Sequence, residues 1–507
     1  MNDYLVAVEL CTSKVAIAVA ERASYGIRVL YHHAVPVLKG MNRGDVINNK
    51  IITDALDRCK REIEIESGLN IKDVILCVTS SSIKTKDWKK SVIRQNSGAP
   101  ISYEEISYLT SEAIRSEAGN EVVFEAIPQS FNVDDAINVS PDEVEGMTGK
   151  VIEAKYKLVI GKNSSLKNKH DVVESCGMRV IGTIMSPVAS SYAALNEDEI
   201  ENGVALIDIG AGTTDVVIVK DRIVREVAVI PFGGNTITAD IRNETTITTD
   251  NAEIIKIKYG CCMDEGSTEN KKLVIQGTGG SENRDVPLDL LEQVIEARVS
   301  EIMEAAYYVI EQAGYISKIP AGLVITGGTA YLERIRDLAK AITGFRVRLA
   351  NAQGNISDTS VDGSFDTYAC SVVGALIDGF NHEEDLRKKA GSLDRGEMVA
   401  PPKQTEIDFG GEPIEKLTWR EKIRRDREAK NAIKREEAER KEAAKEAARK
   451  AKQEEELRAQ LEAEEEERRE AEEEARRKAE EEAAAAQPKG PGKVEKYMKN
   501  LFTIDEE

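Results

Sequence analysis

The pattern of apolar and polar residues changes near residue 380. Upstream, short apolar runs typical of strands alternate with glycine turns and with segments whose apolar residues recur at helical spacing. This alternation predicts an α/β body over residues 1–380. Residues 381–418 are polar and contain paired prolines and paired glycines, so a linker is predicted there.

Two segments about 200 residues apart share one pattern. Residues 4–20 read YLVAVELCTSKVAIAVA, and residues 203–220 read GVALIDIGAGTTDVVIVK. Each consists of an apolar strand, a carboxylate near its end, a turn of small residues and a second apolar strand. This repetition predicts two related α/β halves that face each other.

The turn of the second hairpin has the composition of a phosphate-binding loop. Asp208 is followed by Gly210, Gly212, Thr213 and Thr214. Glycines let backbone N–H groups approach a phosphate without an intervening Cβ, and threonine hydroxyls add donors. An ionised aspartate beside phosphates needs a cation, which points to magnesium held directly or through water. A glycine-rich turn without a ligand is the alternative.

The first hairpin has similar chemistry in Glu9, Thr12, Ser13 and Lys14. Two hydroxyls and an ammonium group near a tight turn suit a phosphate tail. Cys11 stands where glycine would be expected, and its Cβ is expected to restrict the turn and loosen the approach of a phosphate. A plain hairpin remains the alternative for this segment alone.

Two more glycine turns follow apolar strands. Each would let a flat ring lie against the backbone: Gly233, Gly234 and Asn235 after strand 224–230, and Gly327 and Gly328 after strand 323–326. Residues 329–340 are predicted to form one helix with Leu332, Ile335 and Leu338 on a single face.

Composition excludes several classes of function. With 69 basic and 90 acidic residues the net charge is −21, and aromatic residues make up only 5%, so nucleic-acid binding is not expected. The 7 cysteines form no C-x-x-C pair and there are only 4 histidines, which argues against zinc sites and disulfide frameworks. The sequence contains no apolar run of about 18 residues, so no transmembrane helix is predicted.

The C-terminal part has two further segments. Residues 419–487 consist mainly of Ala, Glu, Lys and Arg without a heptad seam, which predicts a long charged helix or a disordered spacer. Residues 488–507 begin with prolines and glycines and predict a short amphipathic helix for a membrane surface, or else a partner-docking helix or disordered end. Its apolar face comprises Val494, Tyr497, Met498, Leu501 and Phe502.

The ordered set of motifs resembles the nucleotide cleft of the actin and DnaK-type chaperone superfamily, and within it the FtsA family of bacterial cell-division proteins. Glu9 in place of the superfamily's usual Asp, the stretch 252–260 and the sequence AIPQSFNV at 126–133 favour that family. The resemblance implies an α/β, actin-like two-lobed ATPase fold with the extra 1C subdomain of FtsA, followed by a long charged helix or tail.

The resemblance also implies domain limits. They are 1–82, 164–200 and 361–380 for the first lobe (1A), 83–163 for subdomain 1C, 201–232 and 301–360 for the second lobe (2A), and 233–300 for subdomain 2B.

ATP and Mg²⁺ are the implied ligands, bound between the lobes. Glu9 and Asp208 would face the metal, while Glu253 and Lys256 would meet the ribose and base. The two hairpin turns would hold the phosphates, and the two other glycine turns would floor the nucleoside. No catalytic base is implied, so at most weak ATPase activity is expected.

The implied partners are those of a division protein. They are further copies of the chain in filaments, the C-terminal tail of FtsZ at Glu296 and Arg298 of a helix at 288–310, the membrane surface, and other divisome proteins. The implied location is the cytoplasmic face of the inner membrane at the division site. Another ATPase of the same fold (a chaperone-like or pilus-assembly ATPase, or a sugar kinase) is the alternative.

Overall fold

The computed structural model describes residues 4–24, 26–117, 119–263, 271–276, 282–350, 352, 356–359 and 367–394. Most of the predicted linker, the charged segment 419–487 and the amphipathic segment 488–507 lie outside these residues.

The chain begins with a twisted sheet covered on both faces. Its first elements are β1 (Tyr4–Leu10), β2 (Lys14–Arg22), β3 (Ile27–Pro36), β4 (Met41–Asn42), β5 (Asp45–Val46), α1 (Asn49–Ser67) and β6 (Asp73–Val78). Alternate residues of β1 enter two different apolar clusters, so the strand has no polar face. Strands buried on both faces appear in the sequence as continuous apolar runs, as these do.

A second, antiparallel sheet is inserted after β6. Its elements are β7 (Lys84–Ile93), α2 (Tyr103–Ile114), β8 (Glu121–Val133), β9 (Ala136–Val139) and β10 (Val151–Lys162). The strand order is β7-β10-β8-β9, and α2 packs on the sheet. Buried Arg94 joins the two, because its guanidinium pairs with Glu105 in the first turn of α2 at 2.8 Å.

The chain then crosses into the second lobe. First α3 (Asn163–Ser175) and β11 (Arg179–Met185) complete the first lobe, and then α4 (Ser186–Ala194) and α5 (Glu197–Asn202) lead to the second. The second lobe contains β12 (Val204–Ile209), β13 (Thr214–Lys220), β14 (Ile223–Ile230), α6 (Gly234–Thr245), α7 (Thr249–Tyr259), β15 (Lys272–Ile275), β16 (Arg284–Pro287), α8 (Leu288–Gln312), β17 (Leu323–Thr326), a 3₁₀ turn (Gly328–Tyr331), α9 (Ile335–Thr343) and β18 (Val347–Leu349).

The last described part of the chain returns to the first lobe. It comprises β19 (Ile356–Thr359), a 3₁₀ turn (Thr367–Ala369), α10 (Cys370–Asn381) and α11 (Glu383–Asp394). Strand β19 pairs in parallel with β3 at the edge of the first sheet. The expected assignment of 301–360 to the second lobe is therefore wrong for 356–359.

The two large sheets repeat one arrangement, as the sequence predicts. Their strand orders are β11-β6-β1-β2-β3-β19 and β14-β13-β12-β17-β18. In each, a hairpin is antiparallel within itself, and its first strand lies parallel to a later strand, β6 or β17. This confirms the expected two-lobed actin-like fold.

The single helix predicted over residues 329–340 is wrong. After the 3₁₀ turn, Leu332 is extended and Glu333 pairs with the segment after α7. The Cys262 N–H donates to the Glu333 carbonyl at 2.9 Å, and the Glu333 N–H donates to the Gly260 carbonyl at 3.1 Å. These long-range bonds satisfy backbone groups that a helix would otherwise use, so α9 begins only at Ile335.

The linker predicted from residue 381 also begins too early. Residues Glu383–Asp394 form α11, which lies against the first lobe. Glu383 pairs with Arg22 at 2.8 Å and Asp394 with Lys72 at 2.7 Å, while Leu386 packs against Gly182. A polar helix of this kind looks like a linker in sequence because its partners lie hundreds of residues away.

Candidate nucleotide-binding cleft

Most of the predicted site residues surround one cavity of about 440 Å³ between the two hairpins. Those on its wall are Glu9, Ser13, Lys14, Asp208, Gly210, Gly234, Asn235, Glu253, Lys256, Gly327 and Gly328. They come from both lobes, because the turns at the ends of β1 and β12 face each other in the folded chain.

The acid of the first hairpin has its own counter-ion. Lys14 Nζ lies 3.5 Å from Glu9 Oε2, donates to the Tyr368 carbonyl at 2.5 Å and sits 4.5 Å from the centre of the Tyr368 ring. Burial is the largest single influence and lowers the pKa of Lys14, but the charge of Glu9 and the neighbouring Cys11 and Asp208 together outweigh it, so the pKa is raised overall. Lys14 is therefore a charged group at the cavity wall.

Cys11 does not distort this turn. It is absent from the described residues with positive φ, and its N–H donates to the Lys14 carbonyl at 2.9 Å. The expectation that its Cβ restricts the turn is therefore wrong, because this backbone conformation does not require glycine. The thiol lines the cavity, and burial raises its pKa well above the usual value.

The acid of the second hairpin is held by a hydroxyl instead. Ser190 donates to Asp208 Oδ2 at 2.8 Å. Withdrawal from water raises the pKa of Asp208 to about 6; the Ser190 hydrogen bond acts in the opposite direction, and the Glu9 charge adds to the rise. Its cross-strand neighbour Asp215 is buried, accepts from Thr79, and has a pKa raised to about 7 by burial and by the Asp208 charge.

Four predicted phosphate ligands and one predicted floor residue of the nucleoside do not line the cavity: Thr12, Gly212, Thr213 and Thr214, and Gly233. The Thr214 hydroxyl is buried and donates to the Phe232 carbonyl at 2.9 Å, so its predicted role as a phosphate donor is not supported. Thr12 Oγ1 accepts from the Gly44 N–H at 3.2 Å. A Cβ on Gly212 would lie 2.3 Å from that oxygen, so this glycine lets the two turns touch.

The nucleoside end of the cavity contains an ion pair between buried Lys256 and half-buried Glu253. Lys256 donates to Glu253 at 2.8 Å, to Thr238 at 2.9 Å and to the Gly234 carbonyl at 3.1 Å. Burial lowers the pKa of Lys256, partly offset by the Glu253 charge. The pair fixes α7 against the start of α6 and presents a carboxylate and an ammonium group at the cavity wall.

Gly327 forms the floor for a steric reason. Its φ is +90°, and a Cβ there would lie 2.4 Å from Asp208 Oδ1 and 2.6 Å from the Ile209 carbonyl oxygen. Both the conformation and the close approach require glycine. Thr367 fixes the turn, because its hydroxyl donates to the Gly327 carbonyl and its own carbonyl accepts from the Gly327 N–H.

Sequence reasoning missed several wall residues: Cys11 as a wall group, Ala211, Ile257, Thr329, Tyr331, Leu332, Tyr368 and Ser371. Ser190, which holds Asp208, was missed as well. Tyr368 and Ser371 follow a stretch without an apolar or glycine pattern, so no local signal marks them. A run of small residues around Ser190 was the one available sign of a tightly packed helix.

The predicted partner residues lie on α8, away from this wall. The helix buries Leu291, Ile295, Val299 and Ile302, while Val294 of the predicted stripe is half-buried.

Both partner residues, Glu296 and Arg298, are half-buried. Arg298 donates to Asp240 of α6 at 2.6 Å and also pairs with Glu301. Its guanidinium is thus already engaged with carboxylates of the same chain.

Two further features of the described residues concern membranes and metals. Within them, no helix combines the length and apolarity needed to cross a bilayer. Nor do these residues contain a group of three or more His, Cys, Asp or Glu side chains placed to hold a metal. A cation at Glu9 and Asp208 would need further ligands from a bound phosphate or water.

Similarity to known proteins agrees with this geometry. A family model described as "Cell division protein FtsA" matches residues 205–373. Cell division protein FtsA of Pseudomonas aeruginosa is 30% identical over 349 residues, 69% of this chain and 83% of that protein. The Escherichia coli protein of the same name is 28% identical over 406 residues, covering 76% and 94%.

A solved structure shows the same fold. A chain of a PilM-PilN type IV pilus biogenesis complex matches with a TM-score of 0.54 at 14% identity, over 74% of this chain and 98% of that one. This likeness establishes the fold alone, whereas the sequence relatives establish the family. The chain belongs to the FtsA family of cell division proteins.

Proposed function

We propose that this protein is an ATP-binding, actin-like division protein that forms filaments and tethers the FtsZ ring to the cytoplasmic membrane. The observation that carries the proposal is the convergence of both hairpin turns, two glycine turns and the Glu253–Lys256 pair on one cavity, in a chain of the FtsA family.

The phosphates of ATP would lie between the two turns. Lys14 offers a positive charge at the wall, and Gly210 and its neighbours offer backbone donors. Glu9 Oε2 is buried and lies 3.5 Å from Lys14 Nζ, but it accepts no hydrogen bond from the described residues, so the oxygen keeps capacity for a further donor or a cation-bound water. Mg²⁺ would neutralise charge between the phosphates and the carboxylates Glu9 and Asp208.

The nucleoside would lie at the opposite end. Glu253 accepts hydrogen bonds and Lys256 donates them, which suits ribose hydroxyls and ring nitrogens. Gly327 and Gly328 leave open backbone for a flat base, and Tyr331 and Leu332 supply apolar surface beside it. No cavity residue is assigned as a catalytic base, so turnover is expected to be slow or absent.

ATP would then act as a conformational ligand. Because the cavity wall belongs to both lobes, a bound triphosphate favours the arrangement in which both turns contact it. That arrangement would favour self-association into filaments. A filament multiplies weak contacts with other divisome proteins and with membrane, so each single contact need not be strong.

The FtsZ tail would bind at Glu296 and Arg298 of α8. Since Arg298 already pairs with Asp240 at 2.6 Å, an incoming carboxylate must share or displace that contact. The expected membrane contact is the amphipathic segment 493–502, whose apolar face is evident in the sequence. The anionic-lipid attraction of its lysines is opposed by the acidic residues at 505–507.

Nucleotide binding is tested by calorimetry of the full chain with ATP and Mg²⁺. The expected result is saturable binding at one site per chain, lost in Lys256→Met and preserved in Lys258→Met, a lysine of the same helix whose side chain lies outside the cavity wall. Absence of binding by the unchanged chain would overturn the nucleotide part of the proposal.

Membrane tethering is tested by co-sedimentation with liposomes containing anionic lipid. Deleting residues 493–507 is expected to release the protein while ATP binding persists. Leu501→Glu, on the predicted apolar face, should release it as well, whereas Asn500→Glu adds the same charge off that face and should reduce binding less. Equal sedimentation of all variants would contradict the membrane anchor.

A further inference from the structure

Two helices that connect the lobes cross in direct contact. α4 leads from the first sheet toward the second, and α10 returns to pack on β1, β2 and β6. At their crossing a Cβ on Gly374 would lie 1.8 Å from the Ala189 carbonyl oxygen, so the two backbones touch. Contact this close means that neither helix can shift alone without disturbing the other.

A chain of two hydroxyls runs from this crossing to the cleft. Ser190 Oγ on α4 lies 2.8 Å from Asp208 Oδ2 and 3.1 Å from Ser371 Oγ on α10. A carboxylate only accepts, and one hydroxyl has one proton. The geometry has Ser190 Oγ as the donor toward both oxygens, and since its single proton goes to the ionised Asp208, the contact with Ser371 is held when the Ser371 hydroxyl turns to donate.

Both ends of the chain are tied to opposite lobes. Asp208 lies near the end of β12 of the second lobe. The Ser371 carbonyl accepts a bond from the Cys77 thiol of β6, in the first lobe, at 3.6 Å. Ser190 is fully buried and Ser371, at the cavity wall, is only 6% exposed, so water competes little for these bonds.

The neighbouring serine shows that this arrangement is specific. Ser191 is also buried on α4, but its hydroxyl donates to the Val188 carbonyl of its own helix. That local bond is the ordinary way for a buried helical serine to be satisfied. The Ser190 hydroxyl instead donates to Asp208, the acid of the second hairpin.

We propose that Ser371 and Ser190 act as positioning residues, which aim the Asp208 carboxylate at the ligand's cation and couple its orientation to the crossing of α4 and α10. This inference rests on the proposed function, because it assumes a nucleotide with Mg²⁺ in the cleft. Opening of the crossing would break the Ser190–Ser371 bond and leave the Asp208 carboxylate held by Ser190 alone.

The test measures equilibrium binding of Mg²⁺–ATP, of ATP in excess EDTA and of adenosine to the full chain. Ser190→Ala is expected to weaken Mg²⁺–ATP binding by about tenfold, and Ser371→Ala by about threefold, since a single hydrogen bond to a charged group has this order of effect. Adenosine and metal-free ATP should bind with unchanged affinity. Ser191→Ala is the matched control and should change Mg²⁺–ATP affinity less than twofold.

Two further variants separate positioning from general packing. The double variant Ser190→Ala with Ser371→Ala should be no weaker than Ser190→Ala alone, because Ser371 acts only through Ser190. Ser371→Thr keeps a hydroxyl and should bind Mg²⁺–ATP with the same affinity as the unchanged chain. This pair of results would not arise if the serines merely filled space.

Three outcomes would overturn the inference. The first is an equal loss of affinity for Mg²⁺–ATP, metal-free ATP and adenosine. The second is additive losses of Mg²⁺–ATP affinity in the double variant. The third is an effect of Ser191→Ala on Mg²⁺–ATP affinity as large as that of Ser190→Ala. Unchanged Mg²⁺–ATP binding by Ser190→Ala in a chain that binds ATP would reject the positioning role alone. Failure of the unchanged chain to bind ATP would reject the proposed function together with this inference.

Discussion

The two hairpins of the cleft share one arrangement of strands and turn, but the negative charge of their carboxylates is compensated differently. Both present a carboxylate near the end of a strand that is buried on both faces. Glu9 has Lys14 at 3.5 Å, whereas no cation of the described residues lies within ion-pair distance of Asp208, which has a hydroxyl donor instead. The first hairpin is therefore neutralised before any ligand arrives, and the second is not.

This difference indicates a division of labour. A hairpin with its own ammonium group can meet a phosphate directly, while a carboxylate without a counter-ion has most to gain from a bound cation. The tight glycine contacts around Asp208 therefore hold in place an acid that has no counter-ion among the described residues of the ligand-free protein. Each of the following changes acts on one side of this comparison.

The largest expected effect is on the floor beneath the second hairpin. Gly327→Ala places a Cβ 2.4 Å from Asp208 Oδ1 at a φ of +90°, so the free energy of unfolding should fall by about 3 kcal/mol or more. Gly328→Ala is the control, since a Cβ there meets nothing within 4 Å. Denaturant unfolding measures both, and equal losses would contradict the steric argument.

The next effect compares the two acids directly. The pKa of Asp208 is raised from 3.8 to about 6 in the folded protein. Its contribution to the free energy of unfolding is therefore fully present below pH 4 and is lost as the pH rises through 6. Asp208→Asn should therefore abolish a fall of about 3 kcal/mol in the free energy of unfolding between pH 4 and 7. Urea unfolding of the ligand-free protein across this pH range measures it.

Glu9→Gln is the matched change on the first hairpin and should act in the opposite direction. It leaves the Lys14 ammonium without its carboxylate, so the variant should be less stable than the unchanged chain at pH 8. If both amide variants shift stability in the same direction at pH 8, the proposed contrast between the hairpins is wrong.

A smaller effect is expected on ligand binding by the first hairpin. Lys14→Met keeps the length of the side chain and removes the charge, which should weaken ATP binding by about tenfold through a lost charge-assisted contact. Adenosine, which has no phosphates, should bind with unchanged affinity. Calorimetry with the two ligands distinguishes this result from a general disturbance of the cleft, which would weaken both.

The smallest effect concerns the residue that distinguishes the two turns in sequence. Because Cys11 is not held at positive φ, Cys11→Gly should leave ATP affinity within about twofold and lower the free energy of unfolding by about 1 kcal/mol through greater freedom of the unfolded chain. A clear gain in ATP affinity would show that the Cβ does obstruct the phosphate.

Local sequence was sufficient for the scaffold of the site. The continuous apolar strands, the acids near their ends and the glycine turns are all short-range patterns, and the structure confirms both hairpins and the two-lobed fold. These features are determined within ten residues or so, where backbone geometry and burial act together. The inserted sheet at Lys84–Lys162, by contrast, is expected only from the resemblance to the FtsA family and not from a local strand pattern.

Tertiary structure alone decided how these pieces are completed. The break at Leu332 depends on pairing with Gly260–Cys262, and α11 depends on partners such as Arg22 and Lys72. The Ser371–Ser190–Asp208 chain joins residues up to 181 positions apart. A hydrogen bond or an ion pair depends on distance in space, so residues without a local pattern acquire their roles only when the chain brings them together.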